Sequence, residues 1–273
     1  MMHQYDHRWA TYDPDGKVRD VTLAEKRDPS FSVLPRYWVH QAEVDRVIGD
    51  RWDVQWLMGW RDIARATDER TMIVPVLPPA AVGNKVPLML SARGWLLSTV
   101  LNSFVADYVT RQSAGGTSLN YFIVKQVATV TPTQISEMNW LGSFPEAWLR
   151  SRLLELAYTA HDMTGLGEEF GIETPYNFEE DRRAVLRAEV DAAMFHIYGL
   201  SRGETDYVLE TFPIIRRKDE AAHGEYRTKR LILENYDAMA RAIAHGVTFA
   251  SKLDPVPGDG PRHPACDQEM VHR

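Results

Sequence analysis

Cysteine occurs once in the 273 residues, at Cys266. A single thiol closes no internal disulfide and builds no cysteine-rich zinc site. Long apolar runs are also missing. No stretch of about 18 residues is apolar and uncharged, so no bilayer-spanning helix is expected. No secretory leader follows Met1, and a reducing, cytoplasmic setting is the expectation. Several catalytic signatures are absent. No Glu-x-Lys occurs, and the one Asp-x-Lys, Asp15-Gly-Lys17, falls in a turn, so the paired acids and lysine of Mg²⁺ nucleases are not in evidence. No serine elbow is present. The one Pro-Pro, Leu77-Pro-Pro-Ala80, lacks the flanking polar and aromatic residues that clamp a flipped base. His3 and His7 flank Asp6 without a helical pattern to align them, so no metal site is expected there.

What is present suits a globular chain. Apolar residues make up 44%, enough for a sizeable core. The net charge of −7 argues against a polyanionic partner, but it is unevenly spread. Residues 131–212 carry six basic and 15 acidic groups, whereas residues 61–130 carry seven basic and four acidic. A local basic surface matters more to a bound polyanion than the total.

The hydrophobic pattern divides the chain near residue 131. Before it, turns and short strands are expected: a turn at Asp13-Pro-Asp-Gly16, strands at Thr71–Leu77, Val86–Leu90 and Tyr121–Val124, and one long helix from Trp95 to Arg111. After it, helices are expected at Pro145–His161, Asp181–Tyr198 and Tyr226–Ile243, with a capping box at Ser201 and Glu204. The expectation is therefore an α+β protein: a mixed α/β domain over 1–131, a helical domain over 132–250, and a flexible Pro/Gly/His-rich tail over 251–273. Asp162-Met-Thr-Gly-Leu-Gly167 has the look of a glycine turn for a cofactor, but it follows a helical pattern instead of a strand, and reads as a helix end and loop. Trp52, Trp56 and Trp60 recur every four residues, a spacing that suits core or interface better than base stacking.

Candidate nucleic-acid contacts cluster in two places. Arg61 and Arg65 would share a helix face, with Arg70 beside them in a polar loop. Arg111 leads into Gly115-Gly116, where Thr117, Ser118 and Asn120 offer neutral donors, and Lys125 follows on the expected strand. Lys85 is a further loop candidate. A second basic concentration holds Arg216, Arg217, Lys218, Arg227, Lys229 and Arg230, diluted by Asp219, Glu220 and Glu225.

Several long strings resemble the C-terminal region of type IIG adenine-specific DNA methyltransferases of restriction-modification systems. They are Met2-His-Gln-Tyr-Asp-His-Arg8, Pro35-Arg-Tyr-Trp38, Gly59 to Thr71, Leu101 to Tyr108, Gly115 to Gln126, Asp191 to Ser201, Phe212 to Lys218 and Gly224 to Arg230. Together they span about residues 1–245. The resemblance implies a target-recognition domain braced by helices, with double-stranded DNA and a methyltransferase domain or subunit as partners. S-adenosylmethionine and the catalytic motif would belong to that partner or to an upstream domain, since this chain has neither motif. A specificity subunit, a split-gene remnant and a fragment stay open as its origin. Two other functions also stay open: a helical protein-interaction adaptor, and a methyltransferase or nuclease with an unfamiliar centre.

Overall fold

A computed structural model describes residues 2–49 and 51–265, so Cys266 lies outside the described residues. Its first part is a mixed α/β segment with two small antiparallel sheets. Strands β1 (Ala10–Tyr12) and β2 (Val18–Asp20) form one hairpin around the Asp13–Gly16 turn. Two short helices follow, α1 (Leu23–Arg27) and α2 (Gln41–Ile48). Helix α1 starts at a full capping box, in which Thr22 and Glu25 satisfy each other's backbone N–H. Helix α2 buries no residue, and Tyr37 and Trp38 just before it are 76% and 78% exposed. Strands β3 (Leu57–Met58) and β4 (Val76–Leu77) make the second sheet.

Where Trp95–Arg111 is expected as one helix, there are two: α3 (Gly94–Leu101) and α4 (Phe104–Ser113). The apolar period runs through the break, but polar side chains override it. Ser103 caps α4 by accepting from Ala106 N–H. Asn102 turns its amide to Val74, accepting from its N–H at 2.9 Å and donating to its carbonyl at 2.8 Å. The same pair explains Thr71–Leu77. Met72, Ile73 and Val74 are fully buried, yet only Val76–Leu77 joins a strand ladder. Side chains take part of the ladder's place: Asp107 accepts from Thr71 N–H, Ser98 donates to Val74 C=O and Gln4 to Met72 C=O. Val86–Leu90 makes only a bridge, between Leu88 and Gly59. Tyr121–Val124 is not a strand but the short helix α5, because Asn120 caps it through Ile123 N–H at 3.1 Å.

The remainder is largely helical: α6 (Pro132–Ser136), α7 (Pro145–Ala157), α8 (Thr164–Glu169), α9 (Glu180–Ile197), α10 (Arg202–Glu210), α11 (Pro213–His223) and α12 (Arg227–His245). The capping box at Ser201 and Glu204 opens α10. Helix α8 takes in Gly165 and Gly167, part of the expected helix end and loop. A Cβ on Gly165 would lie 2.4 Å from the Gln55 carbonyl oxygen, and one on Gly167 would strike the Tyr158 ring. Those glycines serve close packing, not approach to a cofactor.

Helix α9 is the axis of the molecule, packed against α12, α7 and α4. The core does not stop at residue 131. One cluster joins Trp56, Trp60 and Trp95 to Leu149, Leu153, Phe195 and Met239. The N-terminal segment is fastened to the helical part as well: Arg183 donates to the Tyr5 carbonyl, and Arg8 to the Thr159 carbonyl. The tail expected to be flexible is anchored as far as His263. Asn177 donates to the Pro261 carbonyl, His263 to the Pro175 carbonyl and Tyr176 Oη to the Gly258 carbonyl. Sequence composition conceals this because most of these are backbone bonds between distant segments. Among the described residues, no helix is long and apolar enough to cross a membrane.

Candidate nucleic-acid interface

Arg61–Arg65 is not helical, so the expected shared helix face does not exist. Instead, residues 59–64 run between two other segments. Trp60 donates to the Pro87 carbonyl, Asp62 to the Lys85 carbonyl and Ala64 to the Thr117 carbonyl, while Leu119 donates back to Asp62. Ile63 bridges Ser118. Asp62 is the hub. Its carboxylate takes Lys85 Nζ at 2.8 Å and the Ser118 hydroxyl, and the Lys85 and Ser118 bonds hold its pKa below the usual carboxylate range. Tyr121 closes one end, its ring edge-on to Trp60 at 4.7 Å.

This junction gathers five of the expected contacts: Arg65, Lys85, Thr117, Ser118 and Asn120. Arg65 and Lys125 are exposed, and neither side chain forms an ion pair or hydrogen bond among the described residues. Gly115, Gly116 and Thr117 are exposed, and no side chain approaches the two glycines. Ile63 at 55% and Phe122 at 75% exposure add apolar surface beside them. The neighbouring acids are engaged: Asp62 with Lys85, Asp68 with Arg61 at 3.6 Å, and Glu69 with Lys218.

Arg70 and Arg111 do not belong to this surface. Their side chains are 5% and 9% exposed and converge on the fully buried Asp107, at 2.7 and 2.8 Å. Both guanidinium groups also lie over the Phe212 ring. Burial and pairing remove them from reach of a phosphate. Arg61 is half-buried and spends one nitrogen on the Arg70 carbonyl. Asn120 spends its side-chain oxygen on the α5 cap. The second basic concentration is largely neutralised by carboxylates of neighbouring elements. Arg216 pairs with Glu210 and Glu220, Lys218 with Glu69, and Arg227 with Asp181. Lys229 pairs with Asp206 and Glu210, and Arg230 with Glu225 and Glu234. Arg217 alone of the six has no carboxylate partner among the described residues.

A different feature lies away from that surface. Two adjoining cavities, of about 590 and 300 Å³, open where the N-terminal segment meets α9. His3, Gln4, Glu180 and Arg187 line both. The turn at residues 3–6 forms part of the wall, with His3 and Asp6 bonded backbone to backbone and Tyr5 in the left-handed region at φ 55°. A bulky residue rarely adopts that conformation. Burial holds the His3 imidazole neutral, its pKa down to about 3. Asp191 is buried at the larger cavity, and burial pushes its carboxyl up to about 6. Sequence patterning missed this site. The available signal was an acid, Asp191, inside the apolar run Val190–Ala193, with Arg187 one turn before it. Among the described residues, no group of three or more His, Cys, Asp or Glu side chains is placed to hold a metal ion.

Comparison with known proteins gives no match to a family model, to a curated protein or to a solved structure.

Proposed function

We propose that this chain is a DNA sequence-recognition module of an adenine-specific methyltransferase or restriction-modification system, with methyl transfer carried out on another domain or subunit. The observation that supports it most is the Asp62 junction. It fixes three segments, one of which carries the exposed Gly-Gly-Thr turn; unpaired Arg65 follows the first segment and unpaired Lys125 ends α5. Phosphates take cations that have no internal partner at least cost, since no ion pair is broken. The exposed backbone N–H of Gly116 and the Thr117 hydroxyl supply further neutral donors, the Gly115 N–H being bonded to the Ser113 carbonyl. The string resemblance across residues 1–245 points the same way. In this scheme the duplex rests on the junction, and the target adenine is flipped into the partner's pocket, where S-adenosylmethionine would be bound.

The test is a titration of a labelled duplex with the purified chain over a salt series. Association that weakens steeply with salt is the expected result, with a slope that counts the phosphates contacted. Absence of salt-dependent association, both alone and with a methyltransferase partner, would remove DNA recognition from consideration.

A further inference from the structure

The larger cavity presents an unmatched set of hydrogen-bonding groups. Arg187 is exposed within it and makes no hydrogen bond or ion pair among the described residues. Asp191 sits four residues along α9, the spacing at which such a pair ordinarily closes, yet the pair is not made. Asp191 instead accepts from Phe104 N–H with Oδ1 at 2.8 Å, which leaves Oδ2 free. Gln4 donates both amide hydrogens, to Met72 C=O at 3.1 Å and Asn102 C=O at 2.8 Å. Those two acceptors fix the orientation of its amide, so Oε1 can only accept. Neither Oε1 nor Asp191 Oδ2 is sealed from solvent, as an unpaired buried atom would be. The cavity thus offers two acceptors with the Arg187 fork four residues from Asp191 on α9, and a second guanidinium unpaired among the described residues, that of exposed Arg27, on its wall. Its other acids are engaged or peripheral: Glu69 pairs with Lys218, Asp181 with Arg227, Asp219 accepts from Thr228 N–H, and Glu179 and Glu180 are exposed.

A simple anion would satisfy Arg187 and leave the acceptors unmet. A simple amine would do the reverse. We propose that this cavity binds a small zwitterion of the α-amino-acid class, its carboxylate on Arg187 and its ammonium between Gln4 Oε1 and Asp191 Oδ2. Ile215 and Leu231 supply apolar wall for a side chain, and about 590 Å³ leaves room for one. The strained Tyr5 backbone fits such a site, because strain persists where surrounding structure holds a binding geometry. This site does not depend on the proposed DNA contact.

The experiment is a thermal-shift and calorimetric screen of the full chain against the twenty common L-amino acids at millimolar concentration. Inorganic phosphate, the carboxylic acids lacking the amine and the amines lacking the carboxylate serve as probes of each half. At least one L-amino acid should bind, and should do so at least tenfold more tightly than either half. Arg187→Gln and Asp191→Asn should each weaken it tenfold or more. Arg187 has no partner to lose, and the amide introduced by Asp191→Asn keeps an oxygen for Phe104 N–H, so both variants should fold, as circular dichroism would verify. Failure of every amino acid to bind overturns the proposal. So does equal binding of phosphate or of a deaminated acid, or unchanged affinity in both variants.

Discussion

Asp107 carries more structural weight than any candidate contact around it. It is fully buried and bonds Arg70, Arg111 and Thr71 N–H. Removing one partner of a buried ion pair leaves an uncompensated charge, a loss of about 3–5 kcal/mol. Asp107→Ala should destabilise the chain by that order in chemical denaturation; a loss under about 1 kcal/mol would mean the guanidinium groups find water. Sequence offered half of this. The Asp107–Arg111 spacing of four was legible, whereas Arg70 lies 37 residues away and reads as a surface cation. Asp191 runs the opposite way. Its folded pKa, raised to about 6 by burial, stands above the ordinary carboxylate value. The folded chain therefore holds a proton that the unfolded chain has lost between about pH 4 and pH 6. Stability should fall as pH rises through that window and level off above it. Arg70, Arg187 and Asp107 all act on this carboxyl alongside the Phe104 N–H. Asp191→Asn should flatten the dependence and stabilise the chain at pH 7 by about 1–3 kcal/mol. No gain at pH 7 would show that the carboxylate is already well solvated.

At the level of elements, the long amphipathic helices were legible and the short segments were not. Helices α7, α9 and α12 follow from apolar periodicity and lie within a few residues of their expected limits. The errors fall where one polar side chain outweighs propensity. Asn120 turns a β-rich tetrapeptide into α5, and Asn102 with Ser103 cuts one apolar stripe into α3 and α4. Neither choice shows in hydrophobicity, because the deciding partners are backbone groups. The Asp62 junction has the same character: its bonds join segments 23 and 56 residues away. Asp62→Ala should release Lys85 and Ser118 together. Amide exchange should then quicken at both 85–88 and 117–119 while α9 stays protected. Acceleration confined to one segment would mean the two are held independently.

Across the whole molecule, the composition shift near residue 131 marks a change of secondary structure, not a break in the core. Helix α3 packs on α7 and α4 on α9, and Arg8 and Arg183 lock the N-terminal segment to the helical part. Unfolding should therefore be one cooperative transition by calorimetry and by tryptophan fluorescence alike. Two resolved transitions would restore the two-domain division. The same shared core would hold the Asp62 junction, the proposed DNA contact, rigidly with respect to α9. On the proposed function, the junction and not the neutralised C-terminal basic helices meets the DNA. The direct measurement is the salt dependence of duplex binding by the unmodified chain, by Arg65→Ala with Lys125→Ala, and by Arg216→Ala with Lys218→Ala. The first pair should lower the logarithmic slope by about 2, roughly one per phosphate contact, while the second should leave it unchanged. An unchanged slope in the first pair, or a reduced slope in the second, would contradict that placement.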